Sequence, residues 1–264
     1  LLQNLQASKP DDAFKINPVV QVQGPQSRFF TSLTLRGFNV GSTRRIDGIP
    51  ATAAYVDTPL EDKERIEVIT GLSGFLYGAG NVGGTVNYVL KRPVYQPLAR
   101  ITFGNTEARN LRLHGDFGGA LDQEGRFAYR LNVVGQDGET AFDEQSLRRG
   151  LASGALDWNL ADNLQLQFDA SRSVYHMRGT EPYWDAEAGA SYPSAPDTNT
   201  FYGQPFARTD TTQSQYGARL NWTPRPGLAV RAGAMHRDTS IDLIAANNTF
   251  VAGPPGRYTV EASH

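Results

Sequence analysis

The sequence predicts an α+β unit followed by antiparallel strands of a transmembrane β-barrel, and three observations carry that prediction. Up to about residue 93, short strand-like runs mix with helix-prone turns and many glycines. From Pro97 onward the pattern becomes period-two alternation, one face apolar and the other strongly polar, with no helical periodicity between the runs. The connections between those runs alternate short and long, as in outer-membrane barrels with tight turns at one end and long loops at the other.

In the first part, "LLQNLQASKPDDAF" has room for one or two helical turns, and "SLTLRGF", "RRIDGIP", "RIEVIT" and "TVNYVLK" read as short strands. "DTPLEDKERIEV" opens with Asp57-Thr58-Pro59, a helix start with an early proline and acids in the first turn. The acids Glu61, Asp62, Glu64 and Glu67 interleave with Lys63 and Arg65, which reads as a solvated, self-compensated face rather than an acid/base pair.

In the second part, Phe127, Tyr129, Leu131 and Val133 alternate with Arg126, Ala128, Arg130 and Asn132; Leu164, Leu166 and Phe168 alternate with Gln165, Gln167 and Asp169. Seven such runs are visible, with an eighth near "GRYTVEAS". The short connections are "GGALDQEG", "NLADN" and "TPRPG"; "QDGETAFDEQSLRR" is longer and residues 175–212 form a very long one. Trp158 and Trp222 precede short turns, where an interfacial aromatic girdle belongs. A soluble antiparallel sandwich, such as a carbohydrate-binding or adhesion module, is the alternative. It buries its apolar face and has no need of aromatics at strand ends.

Composition excludes several functions. The net charge of −2 and the scattered 25 Lys and Arg offer no field for nucleic acid. The chain has no cysteine, hence no disulfide framework or thiolate metal site. Its four histidines are far apart and lack metal-ligand spacing, and Ser73 in "GLSGF" lacks the nucleophile-elbow pattern. No apolar run is long enough for a transmembrane helix, and "LLQNLQASKPDDAF" is not a signal peptide.

Gly78, Gly80 and Gly83 spell G-x-G-x-x-G, the dinucleotide fingerprint. That site needs a strand before the glycines and a helix starting on them. Here "TVNYVLK" follows, a strand with no helix dipole to receive phosphate.

Taken in order, "LTLRGF", "RRIDGIP", "PLEDKERIEVITG" and "GFLYGAGNVGGTVNYVLKRP", then alternating strands to about Met235, resemble the plug and early barrel of TonB-dependent outer-membrane receptors, best the siderophore-receptor branch. The resemblance implies a plug over residues 1–93 and part of a 22-stranded barrel over residues 94–264. It also implies that Gly78, Gly80, Gly83 and Gly84 serve a tight backbone path inside the barrel. Two departures stand out: Thr70 occupies a position where the family commonly has arginine, and Leu72 one where proline is usual. Arg36 is the other frequent plug arginine, and in the family such arginines pair with barrel carboxylates. The TonB box of the family is not found in this sequence, and Leu1 reads as lying partway through a plug.

What the resemblance implies about function is uptake of a ferric siderophore across the bacterial outer membrane, energised through TonB, with no chemistry done on the ligand and no cofactor beyond the iron inside the chelate. Cobalamin, haem or a glycan are the alternative ligands. The expected ligand contacts are Gln26, Arg28, Asn39 and Tyr55 on plug turns, with Tyr183 and Trp184 from the long aromatic loop. The expected partners are the siderophore, TonB and outer-membrane lipid.

Overall fold

The computed structural model describes residues 7, 10–23, 32–40, 44–51, 58–71, 82–106, 109–194, 197, 200 and 203–263. The first part opens with one helical turn, α1 (Pro10–Phe14), with proline at the first helical position. A three-stranded antiparallel sheet follows, made of β1 (Val20–Gln23), β2 (Ser32–Leu35) and β3 (Phe38–Asn39). A four-stranded sheet contains β4 (Arg44–Ile46), β5 (Ile49–Pro50), β6 (Lys63–Thr70) and β7 (Gly84–Leu90) in the order β5-β4-β7-β6, with β4 and β7 parallel.

Two hairpins set these sheets. Arg36-Gly37 joins β2 to β3 with φ of 53° and 86°, and Asp47-Gly48 joins β4 to β5 with φ of 46° and 81°. Both central residues of each turn are left-handed, the geometry whose twist matches that of the flanking strands. Leu33, Leu35, Val40, Ile46, Leu60, Val86, Tyr88 and Leu90 pack with Phe14 and Val20 into one core, against which Met235 from the second part also rests. The helix expected at Asp57-Thr58-Pro59 is not formed over the described part, residues 58–70. The chain turns at 61–62 and enters β6 instead. The β-branched alternation of "RIEVIT" finds a partner in β7, and tertiary pairing outweighs the helix-start signal.

The second part is an up-and-down sheet of β8 (Leu98–Asn105), β9 (Arg109–Ala120), β10 (Phe127–Glu139), β11 (Ser146–Ala161), β12 (Leu164–Arg178), β14 (Arg208–Arg225), β15 (Leu228–Phe250) and β16 (Tyr258–Ser263), each antiparallel to the next. All the alternating runs lie on these strands. The strands extend beyond them, so the connection within "QDGETAFDEQSLRR" shortens to 140–145, where Gly135 to Glu139 continue the ladder with Gly150 to Ser146. The long connection shortens to 179–207 and holds one more strand, β13 (Tyr183–Ala186), parallel to the end of β15. Backbone pairing continues where side-chain alternation has ceased to be apolar, which is why the sequence did not mark these extensions.

The sheet is amphipathic in the sense opposite to a soluble protein. On β9, Asn110, Arg112, His114 and Asp116 are buried, while Leu111 and Leu113 are each 52% exposed. On β10, Arg130, Asn132 and Gln136 are buried while Leu131 and Val133 face out; on β8, Ile101 and Phe103 face out. The polar face encloses the first part and the apolar face is left for a surrounding apolar phase, as in a barrel wall. A sandwich would reverse this, so that alternative is set aside. Phe127 and Trp158 are register partners with stacked rings 5.6 Å apart beside the short-turn end, in keeping with a girdle. Among the described residues β8 and β16 do not pair, and the wall is an open arc.

Candidate functional site

The chemistry of the structure is concentrated where the inner unit meets the wall. Alternation along β9 to β15 aims charged side chains inward, and three groups of them meet the inner unit.

The first centres on Glu61, just before β6. Its carboxylate, 1% exposed, accepts from both terminal nitrogens of Arg149 on β11, one at 3.2 Å, and lies 3.8 Å from Arg112 on β9. Arg149 also donates to Gln136. Burial by itself pushes the Glu61 carboxyl up, but Arg149 and Arg112 together outweigh it and hold it below the usual glutamate range. Glu61, Asp62 and Lys63 are all buried, and Asp62 pairs with Lys63. The expectation of a solvated acidic face is therefore corrected for these residues. The charges that compensate Glu61 come from strands about 50 and 90 residues away, and local interleaving could not reveal them.

The second centres on the crossing from β7 to β8. Lys91 Nζ donates to Asp116 Oδ2 at 2.8 Å and to Asn132 Oδ1 at 3.0 Å, and Arg130 grips the same aspartate through Nε at 2.6 Å and a terminal nitrogen at 2.9 Å. His114 Nε2 lies 3.1 Å from Asn132 Oδ1. Arg92 pairs with Asp157 and reaches Asp169 at 3.9 Å.

The third is at the β4–β5 turn. Asp47 Oδ1 accepts the Leu90 N–H at 2.9 Å, and Oδ2 lies 3.0 Å from Arg219 on β14, which also binds Asp169. Next to it, Arg237 on β15 donates to the Ala51 carbonyl at 3.2 Å and to Gln215 Oε1 at 2.6 Å. Burial is the main influence on Asp47 and raises its carboxyl despite Arg219 and the Leu90 N–H.

The residues singled out from sequence are distributed as follows. Gln26, Arg28, Tyr55, Gly78 and Gly80 lie outside the described residues. Arg36 is exposed at the β2–β3 turn, with its guanidinium against Gly71, and among the described residues no carboxylate pairs with it. Gly83 accepts the Gly71 N–H at 3.0 Å. Gly84 has φ of 130°, and a Cβ there would stand 2.1 Å from the Ile69 carbonyl oxygen, so β6 and β7 close only over glycine. Asn39 ends β3, exposed, opposite Thr34.

Tyr183 and Trp184 sit together on β13, in register with Asn247 and Asn248. Trp184 stacks on Phe250 at 4.7 Å and meets Tyr258 edge-on at 5.2 Å. Alternation from the inward Arg237 puts Phe250, and with it Trp184, on the outer face of the wall and Tyr183 on the inner one. Asn247 to Phe250 pair with both β13 and β16, so these two occupy opposite edges of β15.

The wall arginines and aspartates of the three groups were not singled out from sequence. Each occupies the polar parity of an alternating strand, which marks it as inward-facing without naming its partner.

A folded unit held by buried ion pairs inside a wall with an apolar exterior defines a plugged outer-membrane barrel. Residues 1–85 match the TonB-dependent receptor plug domain. Curated relatives include the ferrichrome receptor FcuA of Yersinia enterocolitica, 27% identical over 84% of this chain and 31% of its own length. Another is the ferripyoverdine receptor of Pseudomonas aeruginosa, 30% identical over 55% of this chain and 18% of its own. The chain thus spans about three-tenths of the length of the first of them. Among solved structures, the ferric preacinetobactin receptor BauA of Acinetobacter baumannii superposes with a TM-score of 0.88 at 23% identity, over 94% of this chain and 38% of its own. The ferric-catecholate import receptor Fiu of E. coli K12, closed form, superposes at 0.85 and 20%, over 99% and 40%. Residues 1–85 thus carry the plug domain of TonB-dependent receptors, and the chain as a whole is similar in sequence and fold to outer-membrane receptors of that kind. These relatives are receptors and transporters rather than enzymes.

Proposed function

We propose that this chain is the plug and adjoining wall of a receptor that imports a ferric siderophore, energised through TonB, without chemistry on the ligand. The observation that carries the reading is a plug anchored by buried charge inside a lipid-facing wall, an arrangement suited to blocking a wide pore until energy is supplied. Curated relatives bearing the names ferrichrome receptor and ferripyoverdine receptor support the ligand class. We place the division between plug and wall at residues 93 and 94, just after the paired Lys91 and Arg92. Iron arrives inside its chelate, so the protein supplies contact area and donors rather than metal ligands. Gln26, Arg28, Asn39, Tyr55 and Tyr183 have that chemistry; Trp184 joins them as the side chain that fixes β13 from behind.

The test is uptake of a panel of ferric chelates by iron-starved cells whose only receptor is the full-length protein. Energy-dependent uptake of one of them, with affinity weakened about 1–3 kcal/mol by Tyr55→Ala, the value of one aromatic anchor, is expected. Affinity unchanged by Tyr55→Ala and Trp184→Ala together overturns the site. A second reading, cobalamin import, is favoured by one similarity: the vitamin B12 transporter BtuB of Photobacterium profundum is 23% identical over 77% of this chain. Cobalamin uptake with no response to any ferric chelate would select it.

A further inference from the structure

We infer that the outer face of the wall carries a docking site for a lipid phosphate of the outer leaflet, centred on Arg172. Followed from the short-turn end, the outward-facing positions of each strand are apolar, aromatic or glycine, and then turn polar. The first polar ones are Arg109 on β9, Asp137 on β10, Arg148 on β11, Arg172 on β12, Ser214 on β14 and His236 on β15. They lie toward the end that carries the long connection 179–207, the external end of such barrels. Strand pairing puts them on one slanted line. Arg109 is level with Glu139 of β10, whereas His236, by way of Tyr216, Ala170 and Gly154, is level with Leu131, eight residues back along β10. From β9 to β15 there are five strand-to-strand steps. At about 3.3 Å per residue and about 4.8 Å per strand, the line slopes by about 48°. A transmembrane strand is tilted by about 45°. The line therefore follows the membrane plane and marks the outer edge of the hydrocarbon layer.

On this line Arg148 pairs with Asp137, and His236 with Asp238. Farther out, Arg178 and Arg208 share Asp210. Arg172 is exposed and makes no ion pair or hydrogen bond among the described residues. Its cross-strand neighbours are Ala152 and Ser214, and Ala170 and Val174 flank it on the same face. None of these is a carboxylate, and Ser214 adds a hydroxyl beside the guanidinium. Tyr216, in register with Ala170 one step inside the line, is 55% exposed and supplies the aromatic ring typical of a membrane boundary. The site is continuous with the apolar face that already meets lipid. A guanidinium at headgroup depth with no protein anion fits a phosphate, to which it donates two parallel hydrogen bonds.

Two measurements on the full-length receptor test this. Nitroxide labels on Ala170→Cys and Val174→Cys, in lipid vesicles, report depth. The label at 170 should be relaxed mainly by oxygen and the label at 174 mainly by a water-soluble nickel chelate, although valine itself is apolar. A label at 174 as deep in hydrocarbon as the one at 170 overturns the boundary, and the site with it. Native mass spectrometry of the detergent-solubilised receptor, titrated with the phosphorylated glycolipid lipid A, reads the site directly. Arg172→Gln should weaken binding about five-fold, the value of one arginine at an anionic lipid surface. Arg148→Gln, whose guanidinium Asp137 already neutralises, should leave it unchanged. Dephosphorylated lipid A should bind the unaltered receptor and Arg172→Gln alike. Equal binding of lipid A to these two proteins overturns the inference. So does an equal loss with Arg148→Gln, or the same five-fold difference with the dephosphorylated lipid.

Discussion

Glu61 of the plug and Arg149 of the wall, 88 residues apart, form a buried two-point ion pair, and Arg112 stands on its other side. Here the plug contributes the acid and the wall the bases, whereas at Lys91 and Arg92 the plug contributes the bases and the wall the acids.

Replacing Glu61 by Gln should weaken the seating of the plug by about 3–5 kcal/mol, the cost of leaving a buried charge without its partner. Loss of protease protection over the plug, with the barrel still heat-modifiable in gels, is the expected measurement.

The same pair makes plug seating sensitive to acid. The Glu61 carboxyl is held below its ordinary value of 4.5, so its contribution is fully present above that value and is lost as pH falls through the lower, folded-state value. Plug protection in the unaltered receptor should therefore drop on acidification below about pH 4.5, and Glu61→Gln should reduce that dependence.

Leu131 lies on the outer face of β10, within the apolar band. Leu131→Arg should cost about 2–4 kcal/mol of insertion into bilayers, as charge does at the midplane of a barrel, whereas Leu131→Phe should be neutral. Folding yield into lipid vesicles reads both.

Gly84→Ala should disrupt the β6–β7 pairing, because the added methyl group meets the Ile69 carbonyl at a backbone angle that L residues rarely adopt. Faster amide exchange across β6 and β7, with wall strands unchanged, is expected.

Expressed alone, the 264 residues should aggregate rather than melt sharply, because the outer edges of β8 and β16, to which no strand pairs among the described residues, leave backbone groups that lipid cannot hydrate. A reversible cooperative transition would contradict this.

The sequence by itself determined the architecture. Alternation along β8 to β15 fixed which side chains face lipid, and the glycine spacing followed by "TVNYVLK" excluded a nucleotide, whereas "RRIDGIP", which reads as a single short strand, folds back at Asp47-Gly48 into the β4–β5 hairpin. These are local rules, set by period, turn chemistry and backbone angles within a few residues. Only the tertiary structure decided what the charges do. Glu61 looked solvated because its neighbours in sequence are Asp62 and Lys63, yet its partners come from β9 and β11. Trp184 looked like part of a loop until β13 paired with β15 and stacked it on Phe250. Alternation shows that a side chain faces inward, but a buried charge is neutralised by whatever long-range packing brings to it, and no local period encodes that choice.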